Sequence, residues 1–443
     1  MSKALILLLL LFLAAQAGFL LSEKSPYWDE AVYSSMGKYL FSAGSTGLWE
    51  PARPTALPML LGAMWTAGVP GLWTAAMLAI AIGCLALTYL IAKEYSGSTQ
   101  ALLAASTLVV TPIFFKNSSL LLTDVPGAAA ALLSIYLLMR QKYAWSGAAA
   151  AIAFQTKYPH ILLIPGLCVA MALYRKQGKI PSFLAGFALA ILPFLALNTL
   201  MSGSPLYPYI QYSAYQQNPA YSVDGLASNL LYYPSFLLQN PILLLSIPGA
   251  AIALKRKQAI PVLACLAAYA AYFTIISNKQ ERLILAFLPL LAILVAVYFS
   301  QLSGYISKLK NARAYATIMA LAAMAAALTP AIIADYREAL APQPGFQYAT
   351  NLTGTILTTE PRFSWQSSAK FLTFYENPDV SIMDYKAKVA EADYVIYKPD
   401  YYPCERIGEE CERKKEELHN LIKKENRLFS QHSEPEYYVY EVT

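Results

Sequence analysis

The chain has 443 residues, of which 57% are hydrophobic and only 14% are charged. Soluble domains carry about 25% charged residues, so this composition excludes a protein whose main solvent is water and predicts a polytopic α-helical membrane protein. The formal net charge of +6 comes mostly from short Lys/Arg clusters between apolar runs. Such clusters set membrane orientation and give no support to nucleic-acid binding.

The acidic residues divide the chain into two parts. Only eight of the 27 Asp and Glu residues lie before position 334, and the rest lie after it. Because a membrane domain excludes charge and a soluble one does not, this shift predicts a transmembrane domain over residues 1–334 and a small soluble domain over residues 335–443.

The apolar runs of the first domain predict about eleven transmembrane helices. They lie at 4–21, 72–92, 99–115, 125–139, 144–156, 160–174, 181–200, 237–254, 259–277, 283–300 and 314–333. The first run lacks a clear signal-peptide cleavage site, so we predict that it is the first transmembrane helix. The shorter apolar segment 54–69 is either a further span or a helix lying in the membrane interface.

The distribution of Lys and Arg decides between these two possibilities. If segment 54–69 does not cross, 13 basic residues lie in the loops of one side and seven in those of the other. If it crosses, this bias disappears. The positive-inside rule therefore predicts a cytoplasmic N-terminus and an extracytoplasmic C-terminal domain. Seven of the eight carboxylates before position 334 then face the outside. Since ionisable groups near a bilayer are costly and tend to be functional, we expect chemistry on that face.

Two carboxylate motifs stand out. Asp29 and Glu30 follow the first span and open an amphipathic stretch that is typical of an interfacial helix. A helix cap would explain the first carboxylate but not the second. Further along, Asp124 precedes Pro126 at the start of a predicted helix, where a cap explains the carboxylate as well as a function does.

Cations complete the set on the same predicted face. Lys279 and Arg282 lie in a polar segment between two spans, which is otherwise read as an ordinary turn. Arg53 and Lys157 each lie beside a proline break, in Arg53-Pro54 and Lys157-Tyr158-Pro159. Singly, each of these cations is a weak signal.

The soluble domain reads as alternating strands and helices, which favours a small α/β sandwich. Strands are predicted at 354–359, 380–383, 393–397, 427–432 and 436–442, and helices at 367–375 and 408–424. Cys404 and Cys411 flank a short charged loop, and a disulfide between them is expected if this domain lies outside the cytoplasm.

Taken in chain order, the motifs resemble those of the GT-C superfamily of lipid-linked glycosyltransferases. Within it, the chain is most similar to the branch of protein O-mannosyltransferases and lipid A aminoarabinose transferases. The resemblance covers roughly residues 1–335, and the Asp-Glu pair after the first span is its most specific element. It departs from the family at Arg53-Pro54-Thr55, where such enzymes usually have His-Pro-Pro or Arg-Pro-Pro.

The resemblance implies an enzyme that moves a sugar from a polyprenyl-phosphate donor to a hydroxyl of a protein, lipid or glycan, with inversion. It implies that Asp29 is the base, with Glu30 as its neighbour and Asp124 placing the acceptor or poising Asp29. Cations would hold the donor phosphate as its negative charge grows. The candidates are Arg53, Lys157, Lys279 and Arg282.

We expect no required metal, although Asp29, Glu30, Asp124 and Glu281 would suit a divalent cation that prefers oxygen ligands. Two other classes of protein stay open. A secondary transporter would keep its carboxylates near the bilayer midplane and often shows repeat halves, and neither pattern is present. A non-catalytic membrane scaffold would display the C-terminal domain as a binding module.

Overall fold

The computed structural model describes residues 3–21, 26–216, 226–276, 278–306, 333, 351–374, 381–399, 409–433 and 436–442. The N-terminal part is helical. Its α-helices are α1 (Lys3–Leu21), α2 (Trp28–Phe41), α3 (Ala56–Thr66), α4 (Trp73–Ser96), α5 (Ser98–Val109), α6 (Pro112–Asn117), α7 (Asp124–Met139), α8 (Tyr143–Thr156), α9 (Leu163–Leu173), α10 (Ile180–Ser202), α11 (Tyr207–Gln216), α12 (Leu226–Gln239), α13 (Pro241–Leu244), α14 (Ser246–Ala253), α15 (Ile260–Ile275) and α16 (Leu288–Ile306).

Among the residues that the structure describes, three segments are long and apolar enough to cross a membrane, namely Pro70–Ser96, Gln177–Ser202 and Lys257–Ile275. A fourth span results if Leu230–Gln239 and Pro241–Ala253, which meet at 117°, count as one. The predicted number of about eleven spans therefore stays a prediction. The span expected at 314–333 and the domain boundary near residue 334 lie outside the described residues, apart from residue 333.

Small residues let the membrane helices approach closely. A Cβ atom built on Gly186 of α10 would lie 1.9 Å from the Ala144 carbonyl oxygen of α8. Only glycine fits at such a crossing, as in many membrane helix pairs. The break that separates α8 from α9 falls at Lys157, beside the proline break noted in the sequence, and it is followed by the 3₁₀ helix Tyr158–Leu162.

Segment 54–69 forms α3, whose 11 residues rise about 16 Å, roughly half the thickness of the hydrocarbon core. This helix is therefore too short to span a bilayer by itself. It packs against α2 through a glycine contact, since a Cβ atom on Gly37 would lie 2.7 Å from the main-chain nitrogen of Gly62.

The C-terminal domain contains a five-stranded sheet. Its strands are β1 (Thr355–Thr358), β2 (Lys370–Thr373), β3 (Tyr394–Tyr397), β4 (Asn426–Ser433) and β5 (Glu436–Val442). The order is β2-β1-β3-β5-β4, with β1 parallel to β2 and β3, and β5 antiparallel to β3 and β4. Two helices, α17 (Ser381–Val389) and α18 (Glu409–Glu425), accompany the sheet. Leu418 and Ile422, one turn apart on α18, are buried in the core of this domain.

Two secondary-structure predictions for this domain were wrong. The helix expected at 367–375 contains strand β2, and residues 381–383 of the strand expected at 380–383 belong to α17. Short apolar runs do not distinguish strand from helix. Pairing with β1, in which Phe371 lies opposite Ile356, makes residues 370–373 a strand.

Helix α2 joins the two parts of the molecule. Its apolar face, expected to lie in the membrane interface, packs against the soluble domain instead. Val32 and Met36 are fully buried in a core that includes Ile356 of β1 and Phe363. The helix that carries Asp29 is therefore supported by the C-terminal domain.

Candidate active site

Asp29 lies in the first turn of α2, where it is held between two arginines. Its Oδ1 lies 2.9 Å from Nη1 of Arg53, and its Oδ2 lies 2.5 Å from Nη1 of Arg282. The two cations come from positions 229 residues apart in the sequence. The structure thus brings two of the predicted cations into contact with one of the predicted carboxylates.

Each arginine is also held at its Nε atom. Arg53 Nε donates to Glu50 Oε2 at 2.7 Å, and Arg282 Nε donates to Gln280 Oε1 at 2.8 Å. Tyr158 donates a hydrogen bond from its hydroxyl to the Arg53 carbonyl at 3.0 Å. These contacts fix both guanidinium planes at the edge of Asp29.

The arginines decide the charge state of Asp29. Burial raises the pKa of this carboxyl, but the attraction of Arg53 and Arg282 and their hydrogen bonds outweigh burial and hold the pKa well below its ordinary value. Burial lowers the pKa of Arg282, and the attraction of Asp29 more than offsets it, so this pKa lies above its usual value. In the arrangement described here, all three groups are charged.

Asp124 and Lys157 form a second ion pair nearby. Asp124 begins α7, and Lys157 lies in the break between α8 and α9. Their side chains are only 2% and 9% exposed, so this pair is almost shut off from solvent. Charge interactions of both signs link it to the first network, because Arg282 attracts Asp124 and repels Lys157, and Asp29 attracts Lys157.

Glu30, the neighbour of Asp29, points elsewhere. Its side chain is fully buried and accepts hydrogen bonds from two main-chain N–H groups, those of Tyr27 at 2.9 Å and of Leu121 at 2.8 Å. These bonds tie the start of α2 to the segment that leads into Asp124.

Lys279 also lies apart from the ion pairs. Its Nζ donates to the main-chain carbonyls of Phe273 and Thr274 and lies 5.4 Å from the centre of the Tyr233 ring. Of the four cations predicted to bind phosphate, Arg53 and Arg282 contact Asp29, Lys157 contacts Asp124, and Lys279 faces carbonyls.

Within the part of the chain that the structure describes, no group of three or more His, Cys, Asp or Glu side chains is placed to hold a metal ion. The cysteine pair cannot be placed, because Cys404 and the side chain of Cys411 lie outside the described residues.

Sequence reasoning missed two groups of this site, Glu50 and Gln280. Each lies two or three residues before an arginine that it contacts, and this short spacing is a signal that was available. A Glu or a Gln in a loop is common, however, so the spacing alone was not enough. Only the contact with an arginine at the site revealed these two residues.

The C-terminal domain contacts both α2, the helix that carries Asp29, and the segment that follows α2. The Lys38 ammonium donates to the main-chain carbonyls of Ser364, Trp365 and Ser367, at 3.1, 2.7 and 3.2 Å. The segment after α2 is held as well. Gly47 donates to the Ala369 carbonyl at 2.9 Å and accepts from the Phe371 N–H at 2.8 Å.

Comparisons with known proteins give the fold and a family that matches part of the chain. The family model of dolichyl-phosphate-mannose-protein mannosyltransferases matches residues 67–200. The fold is similar to that of ArnT from Cupriavidus metallidurans bound to undecaprenyl phosphate, with a TM-score of 0.70 at 14% identity over 97% of each chain. It is also similar to the oligosaccharyltransferase of Archaeoglobus fulgidus, with a TM-score of 0.60 at 13% identity over 90% of this chain and 68% of that one.

No curated protein matches the chain by sequence. The family model and the shared fold nevertheless confirm the resemblance that the motifs predicted. The chain therefore has the fold of ArnT and of the archaeal oligosaccharyltransferase, with a small C-terminal sheet.

Proposed function

Starting from a GT-C fold, we propose that this chain is a membrane glycosyltransferase that takes a sugar from a polyprenyl-phosphate donor. The acceptor is a hydroxyl group on a protein, a lipid or a glycan. The observation that carries the proposal is the contact of Asp29 with Arg53 and Arg282, which places one carboxylate beside two cations. A base for the acceptor and donors for the phosphate are the two things that this reaction needs.

The reaction follows from these groups. The acceptor oxygen attacks the anomeric carbon, and its proton passes to Asp29. The bond from that carbon to the phosphate oxygen breaks, and the electron pair leaves with the polyprenyl phosphate. Guanidinium groups stabilise the charge that grows on the leaving phosphate. Direct displacement inverts the anomeric configuration.

Asp124 and Lys157 support this site in the proposal. Asp124 is too enclosed to meet an acceptor directly, since its side chain is 2% exposed. We propose that the charges of this pair set the electrostatic potential at Asp29 and Arg282 and thereby keep both groups in the charge states that the reaction needs. Transfer should need no metal ion, so a chelator should leave the rate unchanged.

The decisive experiment is incubation of membranes that contain the protein with radiolabelled polyprenyl-phosphate sugars. Label should leave the lipid and appear on an acceptor with wild-type protein, and should stay on the lipid with Asp29→Asn. Label that crosses the membrane still attached to its lipid would identify a transporter instead. No movement of label from any donor would end the enzymatic proposal.

We also propose that the N-terminus faces the cytoplasm and that the site and the C-terminal domain face outside. In intact cells, after mild reduction, an impermeant thiol reagent should label Cys404 or Cys411. Labelling only after the membrane is broken would reverse this orientation. Two free thiols in freshly purified, unreduced protein would end the idea of a disulfide between these residues.

A further inference from the structure

The two arginines beside Asp29 are held in matching ways but by different chemistry. Arg53 Nε donates to a carboxylate oxygen of Glu50, whereas Arg282 Nε donates to the amide oxygen of Gln280. Arg53 therefore shares its positive charge between two carboxylates, Glu50 and Asp29. In direct contact, Arg282 has one carboxylate and one neutral acceptor, and the Asp124 carboxylate acts on it only from a greater distance.

Because of this difference, Arg53 and Arg282 should differ in how strongly they bind a further anion. The charge of Arg53 is more fully compensated, and its side chain is 21% exposed. That of Arg282 is less compensated, and its side chain is 33% exposed. An incoming phosphate therefore meets a stronger and more accessible cation at Arg282. Charge-assisted contacts between arginine and phosphate are strong enough to compete with those to a carboxylate.

We propose that Glu50 is a positioning residue that holds Arg53 against Asp29, while Arg282 exchanges its contact with Asp29 for the phosphate of the donor. The inference rests on the proposed function. It divides two arginines that otherwise look equivalent, since Arg53 keeps the base in place and Arg282 binds the donor. Arrival of the donor then removes one of the two cations from Asp29 and leaves a carboxylate that accepts a proton more readily.

The structure also shows how Glu50 is kept in place. The residue is 5% exposed and lies three residues after Gly47, whose main chain is hydrogen-bonded on both sides to the segment Ala369–Phe371 of the C-terminal domain. No side chain fits at position 47, because a Cβ atom there would lie 2.2 Å from the Ser35 carbonyl oxygen, so the main chain of this loop lies directly against α2.

For the position of Arg53, what Glu50 supplies is an acceptor oxygen, while its charge makes Arg53 less available to a further anion than Arg282. Gln280 is the internal precedent, because its amide oxygen makes the same contact with an arginine Nε at nearly the same distance, 2.8 against 2.7 Å. Glutamine at position 50 should therefore replace most of the function of Glu50, and alanine should not.

The test compares Glu50→Gln, Glu50→Ala and Gln280→Ala in the full-length purified protein. Two quantities are measured: the turnover of sugar transfer, and the Kd of polyprenyl phosphate alone as a probe of the phosphate site. Glu50→Gln should slow turnover by at most about threefold, and Glu50→Ala by about 10–100-fold, as a misplaced reacting group does. Neither should weaken the binding of polyprenyl phosphate, because both leave Arg282 in place and both remove a carboxylate that competes with the phosphate for Arg53. Gln280→Ala should weaken binding of polyprenyl phosphate by about tenfold.

Two results would overturn the inference. If Glu50→Gln is as slow as Glu50→Ala, the charge or the proton of Glu50 matters, and its role is more than positioning. If Glu50→Ala weakens polyprenyl phosphate binding as much as Gln280→Ala does, both arginines bind the phosphate.

Arg53→Lys and Arg282→Lys give a second comparison that keeps both charges, should Glu50→Ala fold poorly. The first should lower turnover and spare binding, and the second should weaken binding. Equal Kd values for these two variants would refute the division of roles. Failure of the proposed function looks different, because the wild-type protein would then transfer no sugar while the binding comparison could still be made.

Discussion

Asp29 and Asp124 are both paired with cations, but their surroundings differ. The Asp29 side chain is 11% exposed, and its two arginines are 21% and 33% exposed. The Asp124 side chain is 2% exposed, and its partner Lys157 is 9% exposed. A substrate anion can therefore compete for the arginines, whereas the second pair has little access to any substrate. The exposure of the cations, more than the presence of a carboxylate, therefore distinguishes the proposed reactive site at Asp29 from the buried structural pair of Asp124 and Lys157.

The largest expected effect is that of Asp29→Asn, which removes the proton acceptor and keeps the size of the side chain. Turnover should fall by about 10²–10⁴-fold, the usual worth of a positioned general base. Binding of polyprenyl phosphate should persist, because the cations remain. Steady-state transfer and binding assays check both quantities. A folded variant with near-normal turnover would show that Asp29 is a structural partner of the two arginines and not the base.

Asp124→Asn should damage stability more than Asp29→Asn does. It leaves the buried Lys157 ammonium without its carboxylate, and breaking a buried pair from one side costs about 3–5 kcal/mol. Around position 29, Arg53 keeps Glu50 and Arg282 keeps Gln280. Thermal unfolding in detergent compares the two variants.

The control for this prediction is the double variant Asp124→Leu with Lys157→Met, which removes both charges and should regain much of the lost stability. Equal melting temperatures for wild-type protein and Asp124→Asn would show that Asp124 and Lys157 are not the structural pair described above.

Lys38 extends the comparison to a buried lysine whose described acceptors are three main-chain carbonyls. Lys38→Met leaves these carbonyls without their donor, which should cost about 1–3 kcal/mol. Burial lowers the pKa of Lys38 to about 8, from an ordinary value of 10.5. Between these two pH values the unfolded chain binds more protons than the folded one, so the wild-type protein should gain stability with rising pH.

The measurement is the melting temperature at pH 7.5, 8.5 and 9.5 for wild-type protein and Lys38→Met. The advantage of the wild-type protein should grow over this range. An advantage that shrinks as the pH rises would mean that the charged form of Lys38 is favoured in the folded protein.

The smallest effect is expected for Lys279→Ala. This ammonium is turned towards two carbonyls and the Tyr233 ring, so its removal should weaken polyprenyl phosphate binding by less than about threefold. Arg282→Ala should weaken binding by about tenfold or more, since it removes charge-assisted hydrogen bonds. Titration with polyprenyl phosphate measures both. Equal losses would place Lys279 at the phosphate despite its contacts in this structure.

Much of the site was predictable because its cations and carboxylates are unusual in an apolar chain. Asp29, Arg53 and Arg282 stood out for that reason, and the structure joins them. The family resemblance made Asp29 the base and Glu30 its neighbour, but no pattern in the sequence predicted the partners of Glu30. Only the fold turns the Glu30 carboxylate towards the main-chain N–H of Leu121, 91 residues away.

Some elements of the fold were predicted correctly and others were not. The strands at 394–397 and 436–442 follow from β-branched and aromatic residues, and the helix at 409–425 follows from its charged face. Residues 370–373 were misassigned because their strand depends on pairing with β1. The apolar face of α2 was placed in the membrane interface, since a pattern of apolar residues does not say whether lipid or protein covers it.

The contact of Lys38 with the soluble domain uses only main-chain oxygens on that domain. Each amino acid carries such an oxygen, so replacing the side chains at 364, 365 and 367 leaves the three acceptors in place. The C-terminal domain can thus vary in sequence at these three positions without losing the acceptors of Lys38. The packing of Val32 and Met36 against Ile356 and Phe363 depends on side chains instead, so the two kinds of contact with α2 place different limits on changes in the sequence of this domain.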